Sequence, residues 1–267
     1  MVKREKANYM IQSVSHALDV MEELAKPSGE VGVTELSKRL KLHKNNVFRL
    51  LATLELRGYV EQNKETEDYR LGVKILQLGQ AYLLQSKLVE KAAPILKGLA
   101  ETIGETCSLA VLQNGQVQFP LCIESKRPVK VSPRVGVSFP AKLNAAGRLL
   151  TAQLPDAVLE EVLATNTPAD AAIKNKLNEL RSTGEIIDRA AIEADVVSLA
   201  RVVRGANNHV IGAIEVLAPQ YRAKAEEISS QLEDAASALS TSLGSSGTGL
   251  SASIEKEVAH GQFKQAM

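Results

Sequence analysis

Between Val14 and Leu71 the spacing of apolar residues changes from a helical period to a strand period, and few small folds accommodate that change. Val14, Ala17, Leu18, Met21, Leu24 and Ala25 recur at steps of three and four, with Asp19, Glu22 and Glu23 off the stripe. They predict a first helix, ended by Pro27 and Gly29. Thr34 reads as the N-cap of a second, short helix with Leu36 and Leu40 on its buried side and its end near Lys41. A third helix begins at His43 or Lys44 and runs to Arg57, where Gly58 closes it. Tyr59 to Glu61 and Tyr69 to Leu71 then read as strands, joined by a stretch from Gln62 to Asp68 that holds no apolar residue. Three helices and a hairpin with a long polar tip are therefore expected.

The chain has 267 residues, 45% hydrophobic and 24% charged, which suits one or two globular domains. No apolar run is long enough for a membrane helix, and the start lacks the apolar block of a signal peptide, so a cytoplasmic protein without membrane contact is expected. Cys107 and Cys122 are the only cysteines, and His16, His43, His209 and His260 are scattered, so neither a metal nor another cofactor is expected. The net charge of +1 gives no global argument for nucleic acid.

Locally the charge does argue for it. Within Leu36 to Leu54, Lys38, Arg39, Lys41, Lys44 and Arg49 stand with no acid among them. In the third helix Val47, Leu50, Leu51 and Leu54 share one face, which leaves Asn45, Arg49, Ala52 and Thr53 opposite and Asn46 on the flank. Asparagine can bond the adenine edge in two places and arginine the guanine edge, while Lys38, Lys41 and Lys44 can neutralise phosphates. A reading helix followed by a hairpin is the winged form of the helix-turn-helix, with the hairpin along the backbone or minor groove of double-stranded DNA. The expected DNA-facing set is Thr34, Lys38, Lys41, His43, Lys44, Asn45, Asn46, Arg49, Lys64 and Arg70.

After Gly72, Ile75, Leu76, Leu78, Ala81, Tyr82, Leu83, Leu84 and Leu88 are too broadly apolar for an isolated surface helix. They predict a connector helix over 73–90, with Ile75, Leu78, Tyr82 and Leu83 as a dimer interface. From Lys91 the pattern becomes α+β: a helix through Ile103, strands at Cys107 to Leu112 and Gln116 to Ile123 around an Asn114-Gly115 turn, and a helix from Ala145 to Ala152. Helical stretches at Asp156 to Ala164 and Ala171 to Ser182, strands at Asp195 to Arg204 and Val210 to Leu217, and a helix from Ala223 to Leu243 complete it. The expected domains are 1–72, the connector 73–90, an α+β domain at 91–243, and a tail at 244–267 opening on a flexible GSSGTGLSAS linker.

The run VTELSKRLKLHKNNVFRLLATLELRGYVEQNKETEDYRLGVKILQLG resembles the N-terminal domain of the IclR family of bacterial transcription regulators, through Arg49-Leu50-Leu51, Arg57-Gly58-Tyr59-Val60 and Tyr69-Arg70-Leu71-Gly72. The resemblance continues through SFPAKLNAAGRLLTA and GAIEVLAP to about residue 243. It implies a winged helix-turn-helix joined by a connector helix to a GAF-like α+β effector-binding domain. It also implies a regulator that binds a pseudo-palindromic operator as a dimer or tetramer, responds to a small organic metabolite and controls a catabolic operon. Asn45-Asn46 stand where the family often has small hydroxyl residues, and the wing tip carries Glu65 and Glu67.

In that family the effector lies between the sheet and the helix after a proline-containing loop. Here the helix starts at Asn144, Ala145, Ala146 and Gly147, where backbone N–H groups and the helix dipole can receive a carboxylate. By resemblance Leu143, Asp188, Ser198, Ala200, Glu215 and Leu217 complete the lining. Alternation independently puts Ser198 and Ala200 on one strand face and Leu199, Arg201 and Val203 on the other. Glu215 departs from the family's serine or cysteine, as Arg201-Val202-Val203 departs from its alanine-proline-valine. A buried acid needs compensation, so Glu215 either pairs with Lys142 or Arg148 or accepts from an amine or hydroxyl of the ligand. The expected effector is a carboxylate that also carries a hydroxyl, amine or ring. The competing class is a thiol redox enzyme, in which Cys107 and Cys122 approach one another across the Asn114-Gly115 hairpin. Neither cysteine has a basic neighbour in sequence, so no catalysis is expected.

Overall fold

The computed structural model describes residues 9–26, 29–132, 135–156, 158–159, 168–189 and 195–245. It divides into two units, with the boundary between Gln85 and Ser86. The tail from residue 246 onward, and most of the helical stretch expected at Asp156 to Ala164, lie outside the described residues.

Among the described residues the first unit holds α1 (Gln12–Leu24), α2 (Val33–Leu40) and α3 (Lys44–Leu56), followed by an antiparallel pair, β1 (Val60–Gln62) and β2 (Tyr69–Leu71). Val20, Leu24, Val31, Leu36, Val47, Leu51, Leu54, Val60 and Tyr69 form one buried cluster, so each element contributes its apolar face to a shared core. Gly32, not Thr34, is the N-cap of α2. The reason is tertiary: Val31 exchanges two backbone hydrogen bonds with Tyr69, 2.9 and 3.0 Å, which fixes the chain at the residue just before the Gly32 cap. Lys41 closes α2 in the left-handed region at φ 54°, with the Leu42 N–H reaching the Ser37 carbonyl at 3.1 Å. Buried Glu23 joins α1 to α2 by accepting from Lys26 and, at 3.2 Å, from Arg39; these cations hold its carboxyl below the usual range.

Helix α4 (Val73–Gln85) follows Gly72, and none of its residues is buried. The sequence suggests one helix over 73–90, but the structure breaks it at Ser86, whose extended backbone and hydroxyl cap a new helix, α5 (Lys87–Ile103), by accepting from the Val89 N–H at 3.4 Å.

The second unit is built on β3 (Thr106–Gln113), β4 (Gln116–Ile123), β5 (Ser138–Pro140), β6 (Glu185–Asp188), β7 (Val196–Arg204) and β8 (Val210–Pro219). They form one antiparallel sheet in the order β5-β4-β3-β8-β7-β6. The Asn114-Gly115 turn has positive φ at both residues, 51° and 71°, as a two-residue hairpin of this twist requires. Helices α5 and α8 (Ala225–Ser242) cover one sheet face with Leu96, Leu99, Leu232 and Leu239 against Leu109, Leu199, Ile214 and Val216. The other face carries Ala110, Ala200 and Ala213, packed under α6 (Ala145–Ala152) and α7 (Pro168–Thr183). Alanine strands let α6 sit close to the sheet.

A 3-10 turn at Ala141–Leu143 leads into α6, and an added Cβ on Gly147 would stand 2.4 Å from the Ala141 carbonyl oxygen. The obstacle is backbone, which has little room to give. Replacing Gly147 with alanine is expected to destabilise this unit by about 1–3 kcal/mol, the range for overpacking a tight interior. Denaturant melts of parent and variant check this, and coincident midpoints would show that the approach is not tight.

Candidate functional site

Two groups of residues are candidates for a functional site, one in each unit. In the first, α3 buries Val47, Leu51 and Leu54 and leaves Lys44, Asn45, Asn46, Phe48, Arg49, Ala52 and Thr53 exposed. His43 caps the helix, its Nδ1 accepting the Asn45 N–H at 3.4 Å. All ten sequence-predicted DNA-facing residues lie at the surface. The side chains of Lys38, Lys41, Lys44, Asn46, Lys64 and Arg49 have no hydrogen bond or ion pair among the described residues. Their donors are open to an external acceptor.

Arg70 differs. It pairs with Glu30 at 3.3 Å and with Glu61 at 3.4 Å, so its charge is already matched within this unit. Glu30 also accepts from Asn63 at 2.7 Å and Thr66 at 3.3 Å, which ties the wing tip to the turn before α2. A cleft of about 780 Å³ lies between that turn, α3 and the wing, and its lining includes Thr34, Glu35, Lys44, Asn45, Phe48 and Asp68. The structure thus brings Thr34, Lys44 and Asn45 together. Sequence reasoning missed Phe48, which is 56% exposed. The available signal was that it falls outside the Val47, Leu50, Leu51, Leu54 face.

In the second unit, register collects polar side chains on the face under α6. Ser108 stands beside Glu215 and Cys122 on its two neighbouring strands, Ala200 is beside Glu215, and Ser198 is beside Leu217 and Asp188. Glu215 is fully buried, and its Oε1 accepts from Ser198 Oγ at 2.9 Å and Asn144 Nδ2 at 3.2 Å. Asn144 caps α6 with its other end, Oδ1 accepting the Gly147 N–H at 2.9 Å. The cap therefore fixes which way the amide faces, and its donor end turns to the carboxylate.

Several expectations are corrected here. The start of α6 is not wholly open, because Asn144 takes the Gly147 N–H and leaves those of Ala145 and Ala146 as its remaining donors. Glu215 draws hydrogen bonds from Asn144 and Ser198; Lys142 is exposed, and Arg148 pairs with Asp188. Burial lowers the Arg148 pKa, and its buried Nε has no hydrogen-bond partner among the described residues. Leu143 is 59% exposed on the 3-10 turn, whereas Asn144, Ala145, Ala146, Gly147, Ser198, Ala200, Glu215 and Leu217 are buried. Sequence reasoning did not place Ser108 or Cys122 in this set, although their side chains meet at 2.8 Å.

The cysteine pair is also corrected. Cys107 opposes Ile123 while Ser108 opposes Cys122, so the two cysteines project from opposite faces of the sheet. Cys107 packs in the cluster under α5 and α8, where burial pushes its thiol pKa up and away from a reactive thiolate.

Comparison with known proteins accords with both units. Residues 13–64 match the IclR helix-turn-helix domain, and residues 80–241 match the C-terminal domain of the bacterial transcriptional regulator IclR. The HTH-type transcriptional regulator XynR of Escherichia coli is 31% identical over 247 residues, covering 88% of this chain and 98% of XynR. An IclR transcriptional regulator from Alicyclobacillus acidocaldarius has the same fold, with a TM-score of 0.78 at 23% identity over 88% of this chain and all of that one. An IclR homologue from Microbacterium hydrocarbonoxydans, crystallised with 4-hydroxybenzoate, has a TM-score of 0.74 at 22% identity, covering 86% of this chain and 98% of its own. No helix among the described residues is long and apolar enough to cross a membrane. By its match over both units, the chain belongs to the IclR family of bacterial transcription regulators.

Proposed function

We propose that this regulator acts in the cytoplasm, binding a pseudo-palindromic operator as a dimer or tetramer and changing its DNA affinity when a small carboxylate-bearing metabolite occupies the second unit, in control of a catabolic operon. The observation that carries the DNA half is the exposed face of α3, where Asn45 and Arg49 stand solvated beside Lys38, Lys41 and Lys44. Thr34, His43, Asn46 and Lys64 flank it, and Arg70 supports the wing through its glutamates more than it serves a phosphate. Dimer formation is supported by α4, where Leu78 and Tyr82 are 52% and 61% exposed and Ile75 and Leu83 are also only partly covered. One winged helix makes few contacts, and a two-fold dimer doubles them.

The effector half rests on the polar network under α6. The N–H groups of Ala145 and Ala146 suit a carboxylate, while Glu215, with Ser198 and Asn144 already donating to it, suits a hydroxyl or amine donor on the same ligand. A hydroxy-acid such as the 4-hydroxybenzoate held by the Microbacterium homologue has both groups. The ligand alters DNA affinity only by binding the DNA-competent and incompetent arrangements differently, with a coupling of about 1–3 kcal/mol.

Arg49→Ala or Asn45→Ala is expected to cost about 1–3 kcal/mol on the specific site and little on random DNA, whereas Lys38→Ala weakens both and lowers the log-log salt slope by about one unit. Gel-shift titrations at several salt concentrations separate these outcomes, and parental operator binding by both α3 variants would misplace the reading face. For the effector, a calorimetric screen of hydroxy- and amino-acids should yield a ligand that binds Glu215→Gln at least tenfold more weakly, since a hydrogen bond to a charged group contributes about 1.5–3 kcal/mol. A ligand that binds parent and variant equally sits elsewhere.

A further inference from the structure

We propose that Phe48 is a specificity-determining residue whose ring packs on the 5-methyl group of a thymine in the operator's major groove. This rests on the assignment of α3 as the reading helix. Phe48 is 56% exposed and outside the core cluster that holds Val47, Leu51 and Leu54, so the fold of this unit does not need it as a core residue. The chain has only 4 phenylalanines, and two of the others, Phe119 and Phe139, stack edge to face inside the second unit.

Its position gives the exposure a use. Asn45, Phe48, Arg49 and Ala52 fall at i, i+3, i+4 and i+7, one continuous stripe along the exposed side of α3. A helical side chain leans toward the N-terminus, and the ring accordingly borders the same cleft as Lys44 and Asn45. That places a flat apolar surface between two side chains that read base edges by hydrogen bonding. A phenyl ring offers no donor or acceptor, so among the major-groove edges it gains most from thymine, which presents a methyl group there. Without DNA the ring stays in water, and the apolar contact forms only in the complex.

The experiment selects an operator from random duplexes with the full-length protein and then replaces each thymine in it, one at a time, by uracil, which differs only in lacking the methyl. Anisotropy titrations at fixed salt compare the parent, Phe48→Ala, Phe48→Leu and Leu56→Ala. Leu56 is an exposed apolar residue of the same helix, about 12 Å further along its axis, and serves as the control. In the parent, at least one thymine per half-site should lose about fourfold on conversion to uracil, the factor for one methyl group returned to water. Phe48→Ala should show no loss at that position, Phe48→Leu a partial one, and Leu56→Ala the parental loss. Equal uracil sensitivity in the parent and Phe48→Ala, or no sensitive thymine in the parent, overturns the proposal while leaving α3 as the reading helix. Failure of the parent to select any sequence over random DNA removes the reading-helix assignment itself. Should Phe48→Ala melt below the parent, Phe48→Leu carries the comparison alone, and parental uracil sensitivity combined with loss of operator affinity in it counts against the ring contact.

Discussion

The attachment of α3 to its own small core is the interaction on which the rest of the structure depends. Val47, Leu51 and Leu54 sink into a cluster with Leu36, Val20, Val60 and Tyr69, and each such side chain contributes about 1.5–3 kcal/mol when fully buried. With Leu50 packed partly against the same cluster, one stripe faces inward and the other positions of the thirteen-residue helix stay outside. The core therefore decides not only that α3 is held but which residues it offers. The turn before it has the same dependence: Lys41 in the left-handed region sets the angle between α2 and α3, and the Val31–Tyr69 bridge fastens the wing beside them.

The second unit follows a different rule, because its interior is not uniformly apolar. Burying Glu215 removes water from a carboxylate, a loss of several kcal/mol unless donors replace it. Ser198 and Asn144 are two such donors, one from the neighbouring strand and one from the first residue before α6. Asn144 serves the helix and the sheet together, so a ligand that moves either end of its amide acts on both. This gives the unit a polar centre beneath a helix, whereas the opposite face, under α5 and α8, is a mainly apolar core with the ion pairs of Arg201 to Glu185 and Glu233 at its side.

Much of this was legible in the sequence, and the failures have local causes. The helical stripe of α3, the wing strands and the Asn114-Gly115 turn were readable because period and turn chemistry agree with tertiary packing there. The N-cap of α2 was misread because a tertiary bridge at Val31 outweighed the capping preference of Thr34. The break at Ser86 was hidden because apolar residues continue across it and only a single serine marks the cap. Strands β5 and β6 are edge strands of three and four residues, and unlike the comparably short wing strands they do not flank one polar tip that marks them as a pair. Cys107 and Cys122 looked adjacent because sequence shows neighbouring strands but not register, and a shift of one residue changes the face.

Both units serve one claim, that two copies of α3 read two half-sites of DNA. A hydroxyl-radical footprint of the full-length protein on a selected operator tests it most directly. Two protected patches related by a two-fold axis, with centres about 34–36 Å or a multiple of that distance apart, are the predicted result. A single patch, or protection spread evenly along the duplex, would contradict it.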